Sequence, residues 1–262
     1  MKDPKSQQFG KYQLLQKIAV GCMAELYRAK VTRDHGFEKQ VAIKKILPHL
    51  SDEGNLVKAF IDEAKLAALL QHENIIQIYD FGSIDGGYFI AMEYLFGKDL
   101  NLILKQSAEF NQNIDLENIL FIISKICEGL GYAHQLKNLQ GNPLNIIHRD
   151  ISPHNIFITY EGQIKLIDFG IAKAASNATK TQTGIIKGKV AYMSPEQAEG
   201  KPIDCRSDIF SVGIILYELV TGKIDGIEIV LLSRHGKNHT IPPSQMSNQG
   251  NLMALQKQGC TH

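Results

Sequence analysis

The chain has 262 residues, with 28 Lys+Arg against 27 Asp+Glu and a formal net charge of +1. That balance excludes a strongly basic nucleic-acid binder and a strongly acidic solvating chain alike. An apolar fraction of 44% without Trp is ordinary globular composition, and the length suits one large domain or two lobes with a sizeable core.

Cys22, Cys127, Cys205 and Cys260 form no C-x-x-C pair and read as free thiols of a reducing compartment. The first nine residues lack an apolar signal core. No stretch approaches the roughly 18 apolar residues of a spanning helix; the best candidate, Ile209–Val220, is short and contains Glu218. A soluble, cytoplasmic chain is the expectation.

In chain order, Tyr12–Ile18, Glu25–Lys30 and Gln40–Ile46 read as strands separated by Gly or charged turns. Gly54–Leu70 is helical by period, with Leu56, Phe60, Ala67 and Leu70 on one stripe. Strands Ile75–Asp80 and Tyr88–Glu93 follow, joined through Asp85-Gly86-Gly87. From Asp99 the period changes. Leu116–Leu136 is a long helix that Gly129 and Gly131 weaken, and Ile156–Thr159 and Ile164–Ile167 are short strands joined by Glu161-Gly162. Ser176–Lys189 is a polar loop and Asp208–Leu219 is again helical. A small β-rich unit therefore precedes a larger helical one, an α+β arrangement with its join near Leu95–Lys98.

Several residues sit where chemistry is their best explanation. Glu63 falls amid the apolar stripe of its helix, where a carboxylate is costly unless paired. Lys44 shares a strand face with Ala42, while Val41 and Ile43 point the other way. Taken alone, both would read as snorkelling surface charges. Further along come His148-Arg149-Asp150, then Asn155, then Asp168-Phe169-Gly170. A carboxylate and an amide oxygen suit a hard cation such as Mg²⁺ beside phosphates, and a second carboxylate can orient a hydroxyl for attack.

In this order the motifs resemble a eukaryotic-like protein kinase of the bacterial serine/threonine type. Val41-Ala42-Ile43-Lys44 is similar to the strand carrying the phosphate-binding Lys, and Glu63 to its helix partner. Ser194-Pro195-Glu196 resembles the A-P-E element, and Ser207-Asp208-Ile209 the helix whose Asp braces the catalytic loop. The resemblance runs from Tyr12 to Gly222 and implies a bilobal fold. An N-terminal tail of residues 1–11 would lead into a β-rich N-lobe with one helix over 12–95. A partial, helical C-lobe over 96–222 and a divergent, loop-rich tail over 223–262 would follow.

The same resemblance implies transfer of the ATP γ-phosphoryl group to Ser/Thr hydroxyls of a protein substrate, with ATP and Mg²⁺ as cofactors. Neither nucleic acid nor a membrane span is expected. Lys44 would hold the α/β-phosphates and pair with Glu63. Asp168 and Asn155 would bind Mg²⁺, and Asp150 would accept the substrate hydroxyl's hydrogen bond. Met92 would be the gatekeeper, the backbone of Glu93 and Leu95 the adenine-binding hinge, and Leu26, Ala42 and Phe157 the walls around the ring. Arg149 would receive a phosphothreonine from the loop, Thr181 or Thr183 in preference to Thr179.

Three departures from the family pattern stand out. The glycine-rich loop reads Ala19-Val20-Gly21-Cys22-Met23-Ala24 and keeps only its middle glycine, which implies weaker ATP affinity. Ser152 and Lys189 stand where many relatives carry Lys and Thr, as though a catalytic cation had moved to Lys189. After Thr221-Gly222 only forty residues remain. Ile227–Ser233 would form one helix and the rest would be loop, which leaves Glu196 without an obvious partner and one side of the Asp208–Leu219 helix exposed. A nucleotide- or partner-binding pseudokinase is the alternative to the enzyme.

Overall fold

The computed structural model describes residues 7–21, 23–32, 36–50, 53–169 and 191–223. Cys22, Gly170, the Ser176–Lys189 stretch with its threonines, and the segment beyond residue 223 lie outside these residues.

Six strands form the first sheet: β1 (Gln7–Phe9), β2 (Tyr12–Val20), β3 (Ala24–Thr32), β4 (Glu38–Ile46), β5 (Ile78–Ile84) and β6 (Gly87–Glu93). They pair antiparallel in the order β1-β2-β3-β4-β6-β5. Alternation along β4 sorts its side chains as the sequence implies. Val41 and Ile43 join Phe9, Tyr12, Leu14 and Phe89 on one face. Ala42 and Ile46 lie on the other, against α1 (Gly54–Ala67). The buried stripe of α1 is Val57, Phe60, Ala64 and Ala67. Leu56 is only half-buried, and Leu70, fully buried, lies just past the helix. The expected stripe was therefore one residue out at its start, where the two positions differ by 100° and both are apolar.

β5 begins at Ile78, three residues later than the sequence suggests. The residues before it have other partners: Ile75 bridges Leu166 in parallel, and the Ile76 N–H donates to the Leu166 carbonyl at 2.9 Å. Those bonds tie the first sheet to the second, which consists of β7 (Gly97–Asp99), β8 (Ile156–Thr159) and β9 (Ile164–Leu166).

The helical lobe contains α2 (Leu100–Glu109), α3 (Leu116–Gln135), α4 (Pro195–Ala198) and α5 (Cys205–Thr221). The sequence reading did not single out α2; its start is set by Asp99, whose carboxylate accepts from the Leu102 N–H at 2.8 Å. Gly222, at φ 69°, ends α5 in the left-handed conformation a glycine adopts without penalty. Leu100, Ile126, Leu130, Ile156, Leu166 and Ile215 are fully buried in the core of this lobe, each worth about 1.5–3 kcal/mol of burial. On the opposite side of α5, Ile209, Tyr217 and Val220 are exposed, as anticipated. Cys127 and Cys205 are exposed free thiols.

Close approach constrains Gly129 and Gly97, which both border the second sheet. A Cβ on Gly129 would press on Leu166 and on Asn74, both its carbonyl oxygen and its side chain, so this residue lets α3 pack against β9 and the turn after α1. At Gly97 the conflict is with backbone: a Cβ there would collide with the Ile158 carbonyl oxygen and lie 2.6 Å from the Thr159 Cα. Gly97→Ala should therefore force β7 away from β8 and cost about 1–3 kcal/mol or more. Urea unfolding checks this, and Gly131→Ala, with open space around it, serves as the tolerated control.

Candidate active site

Lys44 lies at the centre of the cleft between the two sheets. Its Nζ donates to Glu63 Oε1 at 2.9 Å and to Asp168 Oδ1 at 2.8 Å. Three parts of the chain meet there: β4 supplies the cation, α1 one carboxylate and the segment after β9 the other. Burial alone would disfavour the ammonium, but the Asp168 and Glu63 carboxylates outweigh it and hold the Lys44 pKa well above its ordinary value. Burial pushes the Glu63 carboxyl upward, with Lys44 pulling against it. The carboxylate that seemed misplaced in the apolar stripe is thus paired, and Lys44 remains charged.

The loop before β8 holds Asp150 and Asn155. The Asn155 amide nitrogen donates to the Asp150 carbonyl at 2.7 Å and to Asp150 Oδ2 at 3.0 Å. The Asn155 amide oxygen and the half-exposed Asp168 carboxylate are oxygen donors of the kind that a hard cation such as Mg²⁺ takes. Asp168 has φ 52° and Arg149 φ 67°, both in the left-handed region that non-glycine residues rarely occupy. Strain of this kind persists only when the surroundings over-determine it.

Here Asp208, in the first turn of α5 and almost wholly buried, supplies the constraint. Its carboxylate accepts from the His148 N–H at 2.8 Å, the Arg149 N–H at 2.9 Å and His134 Nε2 at 2.8 Å. Burial pushes the His148 imidazole below its ordinary pKa. As a neutral ring it donates from Nε2 to the Ile167 carbonyl at 3.1 Å, and its Nδ1 faces the Asp150 N–H at 3.4 Å. The Ile167 N–H in turn donates to the Asn155 carbonyl at 3.0 Å. The loop is consequently fixed at both ends, one on α5 and the other on the segment that carries Asp168.

Of the remaining sequence candidates, Met92 lines a cavity together with Lys44, Glu63 and Asp168. Ala42 and Met92, directly opposite each other on β4 and β6, belong to one apolar cluster with Leu26 and Leu95 at its margin. Phe157, half-buried on β8, forms part of the opposite lobe. Ala19 and Val20 are exposed at the end of β2, and the Gly21 N–H donates to the Ala24 carbonyl at 2.8 Å, closing the turn to β3. Glu93 ends β6. Lys189 lies outside the described residues.

Sequence reasoning missed several participants. Ile76, Ile78 and Ile90 line a small cavity behind Lys44 and Met92. Gln197 closes a reciprocal capping box with Ser194 and donates from Nε2 to the Arg149 carbonyl at 3.0 Å, joining α4 to the loop that carries Asp150. The S-x-x-Q spacing was a readable signal for that cap. Glu196, expected to lack a partner, accepts a hydrogen bond from the Ser207 hydroxyl, which lowers its pKa. Because Asp208 satisfies one buried and one part-buried N–H group at once, Asp208→Ala should cost up to roughly 2–6 kcal/mol, at about 1–3 kcal/mol for each orphaned donor. Denaturant unfolding measures this, and near-wild-type stability would show that the loop finds other acceptors.

Comparison with known proteins agrees with this geometry. A model of the protein kinase domain matches residues 12–227. Tyrosine-protein kinase MasK of Myxococcus xanthus is 47% identical over 218 residues, covering 83% of this chain and 34% of that protein. Serine/threonine-protein kinase PrkC of Bacillus subtilis is 40% identical over 215 residues, 82% of this chain and 31% of the relative. The chain thus spans about a third of the length of these curated relatives. The crystal structure of the Mycobacterium tuberculosis PknI kinase domain superposes with a TM-score of 0.61 at 26% identity, covering 86% of this chain and 79% of that one. With a β-rich lobe, a helical lobe and a family match over most of its length, this chain belongs to the protein kinase domain family.

Proposed function

We propose that the chain is an active protein kinase domain that transfers the γ-phosphoryl group of ATP to Ser or Thr hydroxyls of proteins. The observation that carries this reading is the position of Lys44, bonded at once to Glu63 and Asp168. In this reading Lys44 binds the α/β-phosphates, oriented by Glu63. The adenine ring lies between Leu26, Ala42 and Phe157, with its edge on the backbone of Glu93 and Leu95 and with Met92 behind it. Ala19, Val20 and Gly21 cover the phosphates. Asp168 and Asn155 would hold Mg²⁺, which neutralises phosphate charge when bound. Asp150, held toward the cleft by Asn155 and by the pinned His148–Arg149 backbone, accepts the hydrogen bond of the acceptor hydroxyl.

Further proposals complete the reading. Lys189 supplies the cation that position 152 lacks, since Ser152 is a buried neutral hydroxyl. Lys189→Thr should then cut turnover about 10- to 10³-fold with ATP affinity retained; unchanged turnover would remove Lys189 from the site. Arg149, in the catalytic loop, receives phosphorylated Thr181 or Thr183, which mass spectrometry of the chain expressed with ATP would detect. The site of action is the cytoplasm, where ATP and reduced thiols are held; among the described residues no helix is long and apolar enough to cross a membrane.

Two readings compete on specific grounds. A pseudokinase is favoured by the loss of two of the three loop glycines. A tyrosine acceptor is favoured by the 47% identity to a protein named as a tyrosine kinase. Incubation with radiolabelled ATP, Mg²⁺ and Ser, Thr and Tyr peptides, followed by phosphoamino-acid analysis, separates all three. Asp150→Asn should abolish transfer while leaving ATP binding nearly unchanged, and Asp168→Asn should cost on the order of 10²-fold in turnover. No labelled product from the wild-type chain, with ATP bound, would establish the scaffold reading instead.

A further inference from the structure

An ion pair outside the phosphate site joins the two sheets at the hinge. Lys165 Nζ on β9 lies 3.0 Å from Glu93 Oε2 at the end of β6. The Lys165 side chain is 9% exposed and that of Glu93 22%, so the pair is largely shielded from solvent and from salt. Lys165 stands opposite Phe157 in the β8–β9 register, and so on the same face of the hairpin, while its neighbours Ile164 and Leu166 belong to the core of the helical lobe. A lysine on this face is turned toward the cleft and the hinge above it.

Glu93 is held from a second side. Its N–H donates to the Gln77 carbonyl at 2.9 Å, and the Gln77 N–H points to Glu93 Oε2 at 3.4 Å. The hinge that follows is pinned to the same hairpin twice more. The Tyr160 N–H donates to the Phe96 carbonyl at 2.9 Å, with the two rings in edge-to-face contact, and Gly97 pairs with Thr159. Of these ties only Lys165–Glu93 is a pair of opposite charges, and it acts on the residue where the first sheet ends.

We propose that Lys165 is a positioning residue for nucleotide: its bond to Glu93 clamps the hinge onto the β8–β9 hairpin, so that the backbone edge facing adenine is in place before nucleotide arrives. The inference rests on the nucleotide-binding reading above. A preorganised edge loses less freedom on binding, and the gain falls chiefly on the dissociation rate. Lys165 touches neither phosphate nor acceptor in this scheme; it acts through Glu93.

The test uses the full chain and a fluorescent ADP analogue in stopped-flow. Lys165→Met, which keeps the apolar stem, should raise the dissociation rate about 10-fold with little change in association. Glu93→Gln should do the same, the double variant should be no worse than either single one, and Lys165→Arg should restore most of the loss. In the nucleotide-free chain, amide hydrogen exchange over residues 93–97 should quicken in Lys165→Met. A lowered melting temperature with unchanged dissociation and unchanged exchange at the hinge would make the pair merely structural and overturn the proposal. If the wild type binds no ADP, the nucleotide reading falls and this inference with it; wild-type binding with equal rates in the variants removes Lys165 alone.

Discussion

A single buried carboxylate organises the site. Asp208 sits in the first turn of α5 and accepts from two consecutive backbone N–H groups of the loop that carries Asp150. Two adjacent amides can converge on one side chain only if the backbone between them turns sharply, and Arg149 takes the left-handed conformation that this demands. His134, from α3, holds the carboxylate from the other side. The helical core thereby sets the position of Asp150, although Asp150 itself belongs to no helix.

The β8–β9 hairpin extends that control to the rest of the cleft. It follows directly on Asn155, contains Phe157, and leads into Asp168. Its register with β7, and the bonds of Leu166 to Asn74 and Ile76, tie it to the hinge and to the segment after α1. Asn155, Phe157, Asp168 and the Glu93–Gly97 connection are therefore all tied to one small hairpin.

Much of this was legible in the chain because local chemistry and local pattern agree. Alternation along β4 separated Val41 and Ile43 from Ala42 and Lys44, and the structure sorts them the same way. Glu63 was legible because a carboxylate in an apolar stripe needs a partner. What escaped was set by contacts between distant segments. β7 is three residues long and exists through its pairing with β8, and His134 and Lys165 are ordinary residues until their partners arrive. Gly129 read as a defect in α3, yet its missing side chain is what lets Asn74 and Leu166 approach. Glu196 was misjudged because the reading looked for its partner beyond Gly222 and passed over the serine at 207.

The triad around Lys44 also has a consequence for the electrostatics of loading. Glu63, Asp168 and the nearby Asp150 place three carboxyl groups around one ammonium, and the ammonium is already engaged by two of them. Among the described residues the acid at this point outweighs the base, so under the proposed function a bare triphosphate would meet repulsion from the groups meant to act on it. A divalent cation arriving with the anion would reverse that sign by satisfying the carboxylates. Uptake of nucleotide and of cation would then be thermodynamically linked, each raising the affinity for the other.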